Sequence, residues 1–142
     1  NLAVDTINVA GNAISTVDSV YTAGPLLVDN GVGGGGTEVT VQTLVVNKSR
    51  SDPMLITGIV SLWIPTGESD DTAIVKVKVA GTTVASFYVT LGQNEWRDFS
   101  IVGVDNTGTT GNRTITLTVT SQGPSPYLNS SKRGLFAMNL LK

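Results

Sequence analysis

The side chains best able to do chemistry in this sequence are carboxylates, and they fall into two groups. Glu68, Asp70 and Asp71 lie in one polar stretch, Pro65 to Asp71. A calcium ion needs six or more oxygen ligands from several residues. The stretch lacks the alternating Asp spacing of an EF-hand loop, so it reads as a solvated surface loop and no metal site is expected. Glu95 and Asp98 flank Trp96. Paired carboxylates hydrolyse a glycosidic bond when their separation suits the reaction, but nothing in the sequence sets that separation. Trp96, Phe99 and Ile101 read instead as the residues that plant one strand in the core.

The residues that are missing restrict the chemistry further. The chain has no His and no Cys. The commonest general base and the commonest metal ligand are therefore absent, as are disulfides, thiolate metal sites and Cys nucleophiles. A Ser nucleophile has no His to activate it. The run Gly31-Val32-Gly33-Gly34-Gly35-Gly36 has no Lys-Ser/Thr after it and opens no helical pattern, so it reads as a loop or linker and not a phosphate cradle. No catalytic residue and no cofactor is expected, and the chain is read as a non-enzyme.

Aromatic side chains offer the remaining binding chemistry, because they carry an apolar face beside a polar edge or tip. Trp63, Tyr88 and Tyr127 are the candidate contacts for a glycan or a protein partner. Trp63 sits in the apolar run Ile59-Val60-Ser61-Leu62-Trp63-Ile64, where a core or subunit interface is the stronger reading. Tyr127 lies between Pro126 and Leu128 in a predicted loop.

The elements that must hold these residues are strands. Apolar residues recur with period two and not with helical spacing. Ala73, Val75, Val77 and Val79 alternate with Lys76 and Lys78. Ile115, Leu117 and Val119 alternate with Thr114, Thr116, Thr118 and Thr120. Val39, Val41 and Val45 form a third set, and Phe136, Met138 and Leu140 alternate with Leu135, Ala137 and Asn139. Each pattern describes a strand with one buried face. Strands are predicted over 38–46, 54–64, 72–80, 83–91, 96–103, 113–121 and 134–141, with one or two more near 2–10 and 13–21. Ala80-Gly81 reads as a tight hairpin turn. Many short strands without intervening helices predict an all-β protein: an antiparallel two-sheet, jelly-roll-like β-sandwich with an extended N-terminal arm. Residues 1–36 are assigned to the arm and its Gly-rich linker, and residues 37–142 to the sandwich.

Charge narrows the partners. Only 14% of the 142 residues are charged, and the net charge is −2. No basic stripe is present, so nucleic acid is not expected as a partner. Lys132-Arg133 reads as a solvated turn. No apolar run is long enough to span a bilayer, no signal-peptide pattern is present, and no membrane partner is expected. In the predicted strand from Leu55 to Ile64, apolar residues fall on both faces: Leu55, Ile59 and Trp63 on one, Ile56, Val60, Leu62 and Ile64 on the other. A two-layer sandwich buries only one face of each sheet, so the second face needs a cover. The arm or a symmetric neighbour would supply it, and a homo-oligomer is expected.

From Met54 to the end, the sequence resembles the jelly-roll domains on the outside of tailed-bacteriophage virions. The run Met54 to Trp63 resembles their early strand. Val75 to Val84 resembles a strand, a tight turn and a return strand. Asn112 to Val119 resembles the penultimate strand. Ser130-Ser131-Lys132-Arg133-Gly134-Leu135 resembles a Ser/Arg loop entering the terminal strand. Such domains also resemble the sandwiches of tumour necrosis factor and C1q. The resemblance implies a homotrimer at the virion surface, on the capsid exterior, as a decoration or cement protein bound to the major capsid protein. The alternatives it leaves are a fibre or tail-tip domain that binds cell-surface glycan, or a carbohydrate-binding module.

Overall fold

The computed structural model describes residues 17–28, 36–66, 70–122 and 128–140. Eight strands follow one another: β1 (Val17–Val28), β2 (Glu38–Lys48), β3 (Met54–Trp63), β4 (Asp71–Val79), β5 (Thr82–Leu91), β6 (Trp96–Asp105), β7 (Gly111–Ser121) and β8 (Leu128–Asn139). They form two four-stranded sheets, ordered β1-β8-β3-β6 and β2-β7-β4-β5, with every pairing antiparallel. This is the all-β, two-sheet architecture read from the sequence, and no helix occurs among the described residues. Apart from the β4–β5 hairpin, strands that are neighbours within a sheet are not consecutive in the chain, as in a jelly roll.

Period two decides which side chains meet between the sheets. Ala73, Val75, Val77 and Val79 of β4 are almost wholly buried, as are Ile115, Leu117 and Val119 of β7. From the other sheet come Met54, Ile56, Val60 and Leu62 of β3, Leu135 and Ala137 of β8, and Ile101 of β6. Full burial of one such aliphatic side chain stabilises by about 1.5–3 kcal/mol, so this shared layer is the main reason the two sheets stay together. At its centre the sheets approach closely. A Cβ on Gly58 would lie 2.9 Å from Ile101 Cγ2 and 3.0 Å from Leu117 Cδ1.

Turn chemistry sets the hairpin register. Ala80 and Gly81 have φ of 48° and 83°, the pair of positive angles that a two-residue type I′ turn requires. Val79 therefore faces Thr82 across the turn. The β5–β6 connection is tied by Glu95, whose Oε2 accepts from Gly92 N at 2.6 Å, while Asp70 Oδ1 accepts from Gln93 N at 3.0 Å.

Several sequence expectations are corrected. In β2 the register slips between Thr40 and Gln42. The extra residue inverts the alternation, so Val41 stays buried but Val45 turns outward and is 57% exposed, with Leu44 and Val46 taking the core positions. The last strand begins at Leu128, six residues before the predicted start. Lys132 and Arg133 are therefore not a solvated turn but successive residues of β8, and Arg133 Nη1 donates to Gly24 O at 2.8 Å. Residues 17–28, assigned by sequence to the arm, pair with β8 as an edge strand and place Val28 in the core. The strand predicted near 2–10 and the greater part of the Gly run lie outside the described residues.

Candidate functional site

The carboxylates singled out by sequence that lie among the described residues hold structural roles. Glu95 pairs with Arg97 and caps the β5–β6 turn. The backbone N–H of Gly92 holds its carboxyl below the usual range, against the opposing push of burial, with Arg97 adding to the effect. Asp71 is buried and accepts from Ser121 Oγ. Asp70 accepts from Gln93 N in the same β5–β6 turn, and Glu68 lies outside the described residues. Among the described residues, no three His, Cys, Asp or Glu side chains come together as a metal-binding group.

The aromatic candidates are not brought together. Trp63 is half-buried on the outer face of the β1-β8-β3-β6 sheet, with its ring centroid 5.8 Å from that of Trp96 at an interplanar angle of 36°. Tyr88 is 72% exposed on the outer face of the opposite sheet. The thickness of the sandwich separates the two, so they do not form one sugar platform. Tyr127 lies outside the described residues. Trp96 is corrected from core to surface. Phe99 and Ile101 point inward with odd parity, while Trp96 has even parity and is half exposed.

What the structure assembles instead is one apolar sheet face. Outward from β1 point Val17 and Tyr21; from β8, Phe136 and Met138; from β3, Leu55, Ile59 and Trp63; from β6, Trp96, Val102 and Val104. Val17, Tyr21, Trp96 and Val102 are at least half exposed, and Val104 and Phe136 more than a third. The signal for this face was present in the sequence as apolar residues of both parities in β3 and β6. An inward set alone would satisfy a two-layer sandwich.

This face also holds a cavity of about 340 Å³ lined by Tyr21, Ile59, Ser61, Asp98, Ser100 and Lys132 among others. It lies beside a register shift on each flank of β8. Residues opposite β1 slip between Ala23 and Leu26, and those opposite β3 between Val60 and Leu62. Such bulges bend a strand and re-aim its side chains. Ser61 Oγ donates to Asp98 Oδ1 across the β3–β6 pair. A smaller cavity of about 180 Å³ lies between Val17, Leu55, Phe136 and Met138.

The outer face of the second sheet is different. It carries Thr40, Thr43, Thr72, Thr90, Thr114 and Thr116 beside Lys76 and Lys78. Both lysines reach Glu38, Lys76 Nζ at 3.0 Å from Oε2. The Lys78 hydrogen bond, assisted by Lys76 and opposed by burial, holds the Glu38 carboxyl below its ordinary range. One sheet is thus wetted by hydroxyls and ion pairs, and the other presents aromatic and aliphatic surface.

No protein-family model matches the chain, and no curated protein matches it in sequence. Its likeness is to solved structures, and it defines a class of fold. A chain from a viral particle of infectious bursal disease virus superposes with a TM-score of 0.66 at 13% identity, over 92% of this chain and 33% of that one. A chain from the Gx strain of the same virus gives 0.62 at 15% identity, over 99% and 37%. A VP2 subviral particle of that virus gives 0.56 at 16% identity, over 92% and 33%. The chain spans about a third of the length of these structures. At such identities the shared property is the β-sandwich fold.

Proposed function

We propose that this chain is a structural protein of a virion shell, acting as a decoration or cement protein on the capsid exterior of a tailed bacteriophage. The observation that carries the reading is the apolar outer face of the β1-β8-β3-β6 sheet, on a fold shared with chains of a viral particle. A face with this many exposed aromatic and aliphatic side chains marks a protein contact, and the candidate carboxylates among the described residues, Asp70, Asp71, Glu95 and Asp98, make turn or internal hydrogen bonds. The mechanism is mechanical. Apolar surface is buried between copies and against the shell, each Å² contributing roughly 25 cal/mol before the costs of association. A homotrimer is the proposed assembly, its symmetry taken from the resemblance to tumour-necrosis-factor-like sandwiches, and the major capsid protein is the proposed partner.

The test compares virus-like particles with and without the protein. Particles carrying it should withstand heating that opens bare shells. Equal heat resistance would remove the cement reading.

A further inference from the structure

The apolar face carries two outward charges among its described residues, Lys132 on β8 and Asp98 on β6, and both are exposed. They occupy the same row of the sheet, on either side of Ser61 of β3: Ser61 pairs with Asp98, and the β8 bulge opposite Ser61 contains Lys132. Two strand spacings put their backbones roughly 10 Å apart. No ion pair joins them within the chain; Asp98 instead accepts from Ser61. The other charged side chains of these strands, Asp18, Arg97, Asp105 and Arg133, have the opposite parity, that of the core-facing residues.

We infer that a second copy of this chain docks on this face, and that Lys132 of one copy pairs with Asp98 of the next. The inference rests on the assembly reading above and adds the partner and the contact. Charge complementarity selects a copy over a foreign partner. Faces bearing a single sign would repel one another around a closed ring of copies, whereas one cation and one anion let the Lys132 side of one face meet the Asp98 side of the next, as the heterologous contacts of a trimer require. The two charges also line the cavity beside the β8 register shifts, so a neighbour that closes the cavity brings its own charges to the same rim. Desolvated there by the surrounding Tyr21 and Ile59, a mispaired charge would be costly, and the pair fixes the register that a purely apolar face leaves free.

The experiment uses the full chain in four forms: wild type, D98K, K132E and the double swap D98K/K132E. Light scattering reads mass and circular dichroism reads folding. Wild type should be oligomeric at micromolar concentration. Each single swap should remain folded but weaken association by about tenfold or more, because like charges then meet. The double swap should recover the wild-type mass. A zero-length carbodiimide, which joins amines to carboxylates in contact, should give covalent multimers in wild type that contain a Lys132–Asp98 linked peptide, and K132Q should lose that peptide while remaining folded. A monomeric wild type overturns both this contact and the assembly reading. An oligomeric wild type with a double swap that stays dissociated, or with the linked peptide found only in monomer bands, overturns the contact alone.

Discussion

At Asp105 burial and partners pull in opposite directions. Its side chain is wholly buried, and burial alone would push its carboxyl pKa up. Thr107 opposes this with two hydrogen bonds to Oδ1, from Oγ1 at 2.7 Å and from N at 3.0 Å, and the cations Lys48 at 3.9 Å and Arg113 at 3.4 Å add to it. The net shift is downward. A carboxylate whose folded pKa is depressed contributes stability above its unfolded value of about 3.9, and that contribution is lost as pH falls through the folded value. The melting temperature should therefore drop as the pH falls below the unfolded value of about 3.9, and D105N should flatten that part of the profile. At neutral pH, D105N leaves Lys48 buried without its counter-charge, and a loss of about 3–5 kcal/mol is expected in urea unfolding. Two backbone positions give opposite signs. Ala80 holds a left-handed conformation that suits Asn better, so Ala80→Asn should stabilise by about 1 kcal/mol. Gly58→Ala puts a methyl where Ile101 and Leu117 already sit, and should cost about 1–3 kcal/mol. The positive-φ turn was legible in the Ala-Gly pair between two alternating runs. The Lys48–Asp105–Arg113 group was not, because residues distant in sequence meet only through the sheet order.

The elements show why period two carries a reading so far and then fails. β4 and β7 alternate without interruption over their paired lengths, and their core residues were legible one by one. β2 and β8 contain register shifts, and a single inserted residue moves every later side chain to the other face. Val45 was therefore assigned to the wrong side, and the polar start of β8, Ser130 to Arg133, was mistaken for a loop. β1 is anticipated only in part, as the strand predicted near 13–21, for another reason. Its burial alternates between exposed and half-buried until Val28, as expected of an edge strand with one neighbour, so its sequence lacks a clean apolar face. Yet it covers one side of β8, and Gln42 Nε2 of the other sheet donates to its Thr22 Oγ1 at 2.8 Å. Deleting residues 1–36 removes that strand with Val28. The shortened chain should lose cooperative melting and aggregate, as seen by calorimetry and size exclusion, because the β8 edge then presents unpaired N–H and C=O groups. A truncation that melts like the full chain would place β1 outside the stabilising core.

The two outer faces give the whole molecule a direction. One sheet meets water with threonines and a Lys–Glu–Lys cluster, and the other offers aromatic and aliphatic side chains with one cation and one anion among them. Low overall charge was the sequence's hint of this arrangement, since 14% charged residues leave little to wet both sides. The parity of β3 identified part of the apolar face, but its extent depended on β1 and β8 lying beside β3, which no local pattern specifies. The asymmetry predicts unequal responses to one chemical change. Val102 on the apolar face and Val45 on the threonine face are exposed to almost the same degree, 58% and 57%. Neither supports the core, so V102D and V45D should both fold with melting temperatures within a few degrees of wild type; surface changes usually fall within about 0.5 kcal/mol. Their assembly should differ. A buried, unpaired carboxylate at position 102 would oppose association and shift the chain toward monomer, because desolvating it costs on the order of several kcal/mol. A carboxylate at position 45 would remain in water and leave the mass unchanged. Light scattering at matched concentration separates the two cases, and equal masses for V102D and V45D would mean that the apolar face is not where this molecule meets its partners.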